Sequence, residues 1–91
     1  MGVTVKLPTQ LRDAAGGQAT ASVQGATIGD VLDALYSEHA ELRSRIAGED
    51  GEPRRFVNVY LGGEDIRFLE GLATAVPDGA EVTILPAVAG G

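Results

Sequence analysis

The chain is 91 residues long, enough for one folded domain and one core but not for a second. Its seven Lys and Arg stand against thirteen Asp and Glu, a formal charge of −6 that argues against nucleic acid and anionic membranes as partners. There is no Cys and a single His, His39, so disulfides, thiol nucleophiles and Cys- or His-cluster metal sites are excluded.

Nothing near the N-terminus reads as a signal peptide, and no stretch approaches the roughly 20 apolar residues of a membrane span, so the expected location is the cytoplasm. Acidity of this size favours either plain solubility or a partner with a basic docking face.

Val3, Val5 and Leu7 alternate with Thr4 and Lys6, which predicts a half-buried strand ended by Pro8. Residues 12–17, with Gly16 and Gly17, predict a turn or loop. Weak alternation of Ala19, Ala21 and Val23 predicts a second strand, forming a hairpin with the first.

Thr27 is placed as an N-cap, with Asp30 adding first-turn negative charge. Ile28, Val31, Leu32, Leu35, Leu42 and Ile46 then lie on one face of a helix that has a weak point near Ser37. Gly48 is placed to close it as a C′ residue, and Glu41 and Arg45 form a favourable i,i+4 pair.

Residues 49–53 read as a polar loop, and the apolar run over residues 56–61 predicts a central strand with both faces partly covered. Gly62 and Gly63 turn the chain, and Ile66, Arg67 and Phe68 predict a short strand. Residues 69–76 read as irregular with room for one helical turn. Pro77, Asp78 and Gly79 signal a turn, and Val82 to Leu85 form the last strand, ended by Pro86.

This order of elements predicts an α+β, ubiquitin-like β-grasp fold: a mixed sheet of four to five strands with one main helix packed across it. The rival ferredoxin-like fold needs a second long helix, which the Gly, Pro and acidic residues of 62–80 cannot supply. Residues 1–86 would form the domain and residues 87–91 a flexible tail. Val3, Val5, Val57, Val59, Val82 and Ile84 are core candidates facing the helix.

Pro86 lacks an N–H and stops sheet pairing, so the tail Ala87-Val88-Ala89-Gly90-Gly91 should point away from the body. Extended, its five residues reach roughly 17 Å. Gly90 and Gly91 have no Cβ and suit a narrow channel on another protein. The terminal carboxylate is ionised at neutral pH and must be activated before it can react. No nucleotide-binding motif or paired catalytic constellation in the chain could do this, so catalytic residues are expected in another enzyme and not here.

Asp78-Gly79, Val82, Ile84-Leu85-Pro86, Val88 and Gly90-Gly91 resemble the C-terminal signature of the MoaD/ThiS-like sulfur carriers. Residues 55–58, 63–68 and 71–74 are most similar to the CysO-type branch of actinobacterial cysteine biosynthesis. Ala80 departs from the acidic residue usual after Asp-Gly, which touches the turn and not the reacting group.

The resemblance implies that an E1-like enzyme uses ATP to adenylate the Gly91 carboxylate, and that a sulfur donor then displaces AMP to leave a thiocarboxylate. No cofactor would be bound by the chain itself. A sulfur-accepting enzyme would take the tail, Val88 to Gly91, into its active site. That acceptor would be a cysteine synthase or an enzyme of molybdopterin, thiazole or thiosugar synthesis.

Phe56, Tyr60 and Leu85 point opposite to Val57, Val59 and Ile84 in regular strands. They are docking candidates for such partners or, alternatively, a second small cluster beneath residues 68–76. Arg54 and Arg55 would meet a partner or neutralise Glu49, Asp50 and Glu52. His39 reads as a solvated or capping residue. Beside sulfur carriage stand two other functions, a protein-modifying tag joined to lysine through Gly91 and a passive binding module.

Overall fold

The computed structural model describes residues 2–54 and 57–86. Arg55, Phe56 and the predicted tail of residues 87–91 lie outside the described residues. Five strands form one sheet: β1 (Val3–Lys6), β2 (Thr20–Val23), β3 (Val57–Leu61), β4 (Glu64–Asp65) and β5 (Glu81–Pro86). Their order is β2-β1-β5-β3-β4, with β1 and β5 parallel and every other pair antiparallel. An N-terminal hairpin, a helical crossover and a last strand returning beside the first make the expected β-grasp.

Period-2 alternation puts Val3, Val5, Ala21, Val23, Val59, Val82 and Ile84 on one face, where all are buried. Val57, predicted with them, is only half-buried and packs at the margin of the core. The helices α2 (Ile28–Glu38) and α3 (Ala40–Ile46) close that face with Ile28, Val31, Leu32, Leu35, Leu42 and Ile46, all buried as their spacing predicts. Thr27 caps α2 by accepting from the Asp30 N–H at 3.2 Å. The Glu41–Arg45 pair forms at 2.9 Å, and Asp13 joins the same guanidinium at 3.3 Å.

Several local expectations change. The helix is two, broken at His39 (φ −134°, ψ 82°), two residues beyond the predicted weak point at Ser37. Leu35 and Leu42 are seven residues apart, so the turn between them has no buried anchor, and the chain re-aims there. Gly48 is not a left-handed C′ residue. The helix leaves through extended Ala47, which bridges Pro53, while the Arg54 N–H donates to the Ile46 carbonyl at 2.7 Å.

The predicted loop at 12–17 is preceded by a short helix, α1 (Thr9–Arg12), and holds a 3-10 turn, Asp13–Ala15. Leu11, Ala14 and Ala15 have helical spacing and pack on the core. The layer therefore holds three α-helices among the described residues, of which α2 is the longest and the expected main one.

β5 takes the centre of the sheet, and β3 lies second from the edge. Gly62 and Gly63, both at positive φ, make the predicted turn into β4. Ile66–Phe68 is a 3-10 turn and not a strand, because the Asp65 carboxylate accepts from the Arg67 N–H at 2.9 Å and bends the chain out of the sheet. Gly71–Ala73 supplies the single helical turn expected in the irregular segment.

Candidate functional site: the open sheet face

Among the described residues, no second layer of elements covers the sheet face opposite the helices. Leu85 is 43 % exposed on it. Antiparallel register sets Asn58 opposite Leu85 and Tyr60 opposite Thr83. Tyr60 is therefore the diagonal neighbour of Leu85, within reach of an aromatic side chain on the same face.

Residues 68–76 do not cover this pair. The Ile28 N–H donates to the Thr74 carbonyl at 3.0 Å and the Val76 N–H to the Ala26 carbonyl at 2.9 Å, so that segment packs at the start of α2. Of the two readings of Tyr60 and Leu85, the cluster beneath that loop is not what forms. Phe56, the third docking candidate, lies outside the described residues, as do Val88, Ala89, Gly90 and Gly91.

Charge on this side is distributed in pairs. Lys6 meets Glu81 at 3.3 Å across β1 and β5, both half-exposed, a contact of little energetic weight. At the β3–β4 edge, Arg67 donates to Asp65 through Nε (3.2 Å) and Nη2 (2.8 Å), and Nη2 also reaches the Asn58 side-chain oxygen. The Arg67 guanidinium hydrogen-bonded to Asp65 holds its carboxyl below the usual carboxylate range.

Sequence reasoning missed this network. An Asp-x-Arg spacing after a glycine turn is its one local trace, and Asn58 comes from a different strand. Arg54 makes no ion pair with Glu49, Asp50 or Glu52 among the described residues; its Nε donates to the Ser44 carbonyl at 3.2 Å. His39 acts through its backbone, its N–H donating to the Leu35 carbonyl at 2.9 Å, with no side-chain cap to α3. Tyr36, on α2, keeps a buried hydroxyl without a partner among the described residues, and burial with Asp33 nearby pushes its pKa up to about 12.

The arrangement offers an open face with Leu85 exposed, Tyr60 half-buried beside it and paired charges, at the centre of which runs β5, the strand that leads into the tail. Such a face suits contact with another macromolecule more than enclosure of a small substrate.

A model of the ThiS family matches residues 5–91. The chain belongs to the ThiS family. Among its relatives, the sulfur carrier protein CysO of Mycobacterium tuberculosis is 48 % identical over 93 residues, covering 100 % of both chains. Small archaeal modifier protein 1 of Haloferax volcanii is 42 % identical over 88 residues, covering 94 % of this chain and 97 % of that one. A chain in the crystal structure of the Amycolatopsis orientalis BexX/CysO complex superposes with a TM-score of 0.90 at 46 % identity, covering 98 % of this chain and 99 % of that one.

These likenesses place the five-stranded sheet and its helices in the ubiquitin-like β-grasp fold. Among the described residues, no helix is long and apolar enough to cross a membrane.

Proposed function

We propose that this ThiS-family chain is a sulfur carrier whose working group is its terminal Gly91 carboxylate. The observation that carries the reading is a family match running to residue 91, joined to full-length 48 % identity with a protein named as a sulfur carrier.

In this reading the chain is a protein co-substrate and not an enzyme. An E1-like enzyme brings ATP. The Gly91 carboxylate oxygen attacks the α-phosphorus, and pyrophosphate leaves. A sulfur nucleophile then attacks the acyl carbon, the C–O bond to AMP breaks, and a thiocarboxylate remains. Adenylation is needed because an ionised carboxylate is a poor electrophile.

Residues 1–86 form the body and 87–91 the arm that enters each partner's active site, with Val88, Ala89 and Gly90 threading behind the reacting Gly91. Tyr60 and Leu85 support docking of the body from the open sheet face, with Phe56 as the third docking candidate. The acceptor is a sulfur-transfer enzyme of cysteine, molybdopterin, thiazole or thiosugar synthesis. The relative crystallised with BexX supports a stable encounter between such a carrier and a second protein. The expected compartment is the cytoplasm.

Intact-mass measurement tests the reading. Incubated with its activating enzyme, ATP and sulfide, the chain should exchange one oxygen for sulfur at its C-terminus. An unchanged mass after ATP has been consumed would sink it.

Likeness to an archaeal modifier protein favours a second use of the same activated acyl group, amide formation with a lysine of another protein. Conjugates that survive reduction and carry a Gly-Gly remnant on lysine would mark that use.

A further inference from the structure

Phe68 is 87 % exposed, the most exposed large apolar side chain among the described residues. A phenylalanine at a frayed position would be unremarkable, but this one stands on a pinned turn. Ile66 is buried two residues before it, and Asp65 Oδ1 accepts from the Arg67 N–H at 2.9 Å. The Leu69 N–H donates to the Ile66 carbonyl at 3.0 Å, and the Glu70 N–H donates to Thr74 Oγ1 at 2.9 Å. The Arg67 side chain is fastened to Asp65 and Asn58.

Backbone on both sides of Phe68 is thus held while its ring is left in water. Leu69, 38 % exposed, extends the apolar tip. Glu64 and Glu70, both exposed, flank it and form no ion pair among the described residues, whereas Arg67 is already paired with Asp65. The projection is an apolar tip with an unpaired glutamate on either side of it in sequence, fixed before any partner arrives, which is the condition under which one aromatic residue dominates an interface.

We propose that Phe68 anchors the folded body on the enzyme that adenylates the tail, entering an apolar socket rimmed by Lys or Arg. This rests on the sulfur-carrier reading. Before activation the tail presents only a plain Gly-Gly carboxylate, which carries little to identify its owner. The activating enzyme must therefore select its substrate through the body. An acceptor enzyme meets a thiocarboxylate, whose sulfur is itself distinctive. β4 lies two strand spacings from β5, and Asp65 registers through Tyr60 with Thr83, three residues before Pro86, so the two points are roughly 14 Å apart and one protein surface can hold the Phe68 turn and receive the chain leaving Pro86.

The test is carrier-dependent ATP–pyrophosphate exchange, using the adenylating enzyme purified from the source organism by that activity. Phe68→Ala should raise the KM for the carrier about tenfold or more, leave kcat within about twofold, and leave the thermal midpoint of the carrier unchanged. Phe68→Trp should keep most of the affinity. The double change Glu64→Gln and Glu70→Gln should raise KM at low salt and flatten its dependence on ionic strength.

A wild-type KM for Phe68→Ala overturns the proposal. So does a variant that is adenylated normally but delivers sulfur poorly, since that assigns Phe68 to the acceptor. Loss of kcat on deletion of Gly90 and Gly91, with Phe68→Ala silent, would defeat this inference and leave the carrier reading standing. If the wild-type chain is never adenylated, both fall.

Discussion

Gly25 sits where the chain passes from β2 into α2, and the space beside it is closed. A Cβ built there lies 2.6 Å from the Val31 nitrogen, 2.9 Å from the Asp30 carbonyl carbon and 2.9 Å from Val31 Cγ2. Ordinary contacts between such atoms are about 3.5–4.0 Å. Two of these three atoms are backbone of the first turns of α2, which cannot swing aside as a side chain can. Relief requires shifting a helix whose Ile28, Val31, Leu32 and Leu35 are all buried.

Overpacking of this kind costs about 1–3 kcal/mol, and the backbone contact puts Gly25→Ala near ~3 kcal/mol. A domain of this size loses about 4–8 °C of Tm per kcal/mol, so the midpoint should fall by about 12–24 °C. Gly29→Ala is the control. Its Cβ meets the Leu72 carbonyl oxygen at 3.3 Å and Leu72 Cβ at 3.5 Å, a mild crowding offset by the better helix propensity of alanine, for a net change within about 0.5 kcal/mol. Thermal and urea unfolding followed by circular dichroism measure both. Equal midpoints for the two variants would refute the packing argument.

Other substitutions probe other parts of the account. Thr27→Ala removes the acceptor for the Asp30 N–H and should cost about 1 kcal/mol in urea unfolding, with Thr27→Ser close to wild type. Ile84→Ala, in the buried centre of β5, should cost about 2–5 kcal/mol, a large share of the roughly 5–14 kcal/mol available to a chain this long.

Asp65 titrates below the usual carboxylate range when folded, so its ion pair contributes stability that is full above pH of about 4 and is lost as pH falls through the lowered folded value. Asp65→Asn should therefore be less stable than wild type at pH 7, and the gap should close toward pH 2. A gap that persists unchanged at low pH would contradict the assignment.

Much of the architecture was legible because its periodicities are local. Val3, Val5 and Leu7 alternate, and Ile28 to Ile46 repeat at three and four, so the strand and helix faces follow from spacing alone. The open face was legible for the same reason, since Tyr60 and Leu85 fall opposite to Val59 and Ile84. The return of the last strand beside β1 followed from the β-grasp reading, but nothing inside β5 says that its other neighbour is β3.

The turn at Ile66–Phe68 misled because Ile and Phe favour strands, while the deciding contact is a side-chain carboxylate one residue upstream. At Leu11, Ala14 and Ala15 the glycines that follow outweighed a short helical period. Asn58 joins Asp65 and Arg67 only through the pairing of β3 with β4, so that cluster needed the fold to be visible.

Sulfur delivery by a chain lacking Gly90 and Gly91 tests the central claim most directly. Reconstituted with the activating enzyme, ATP, sulfide and an acceptor enzyme, the shortened chain should fold with an unchanged melting profile and transfer no sulfur above background. Transfer at the rate of the intact chain would show that the reacting group lies elsewhere.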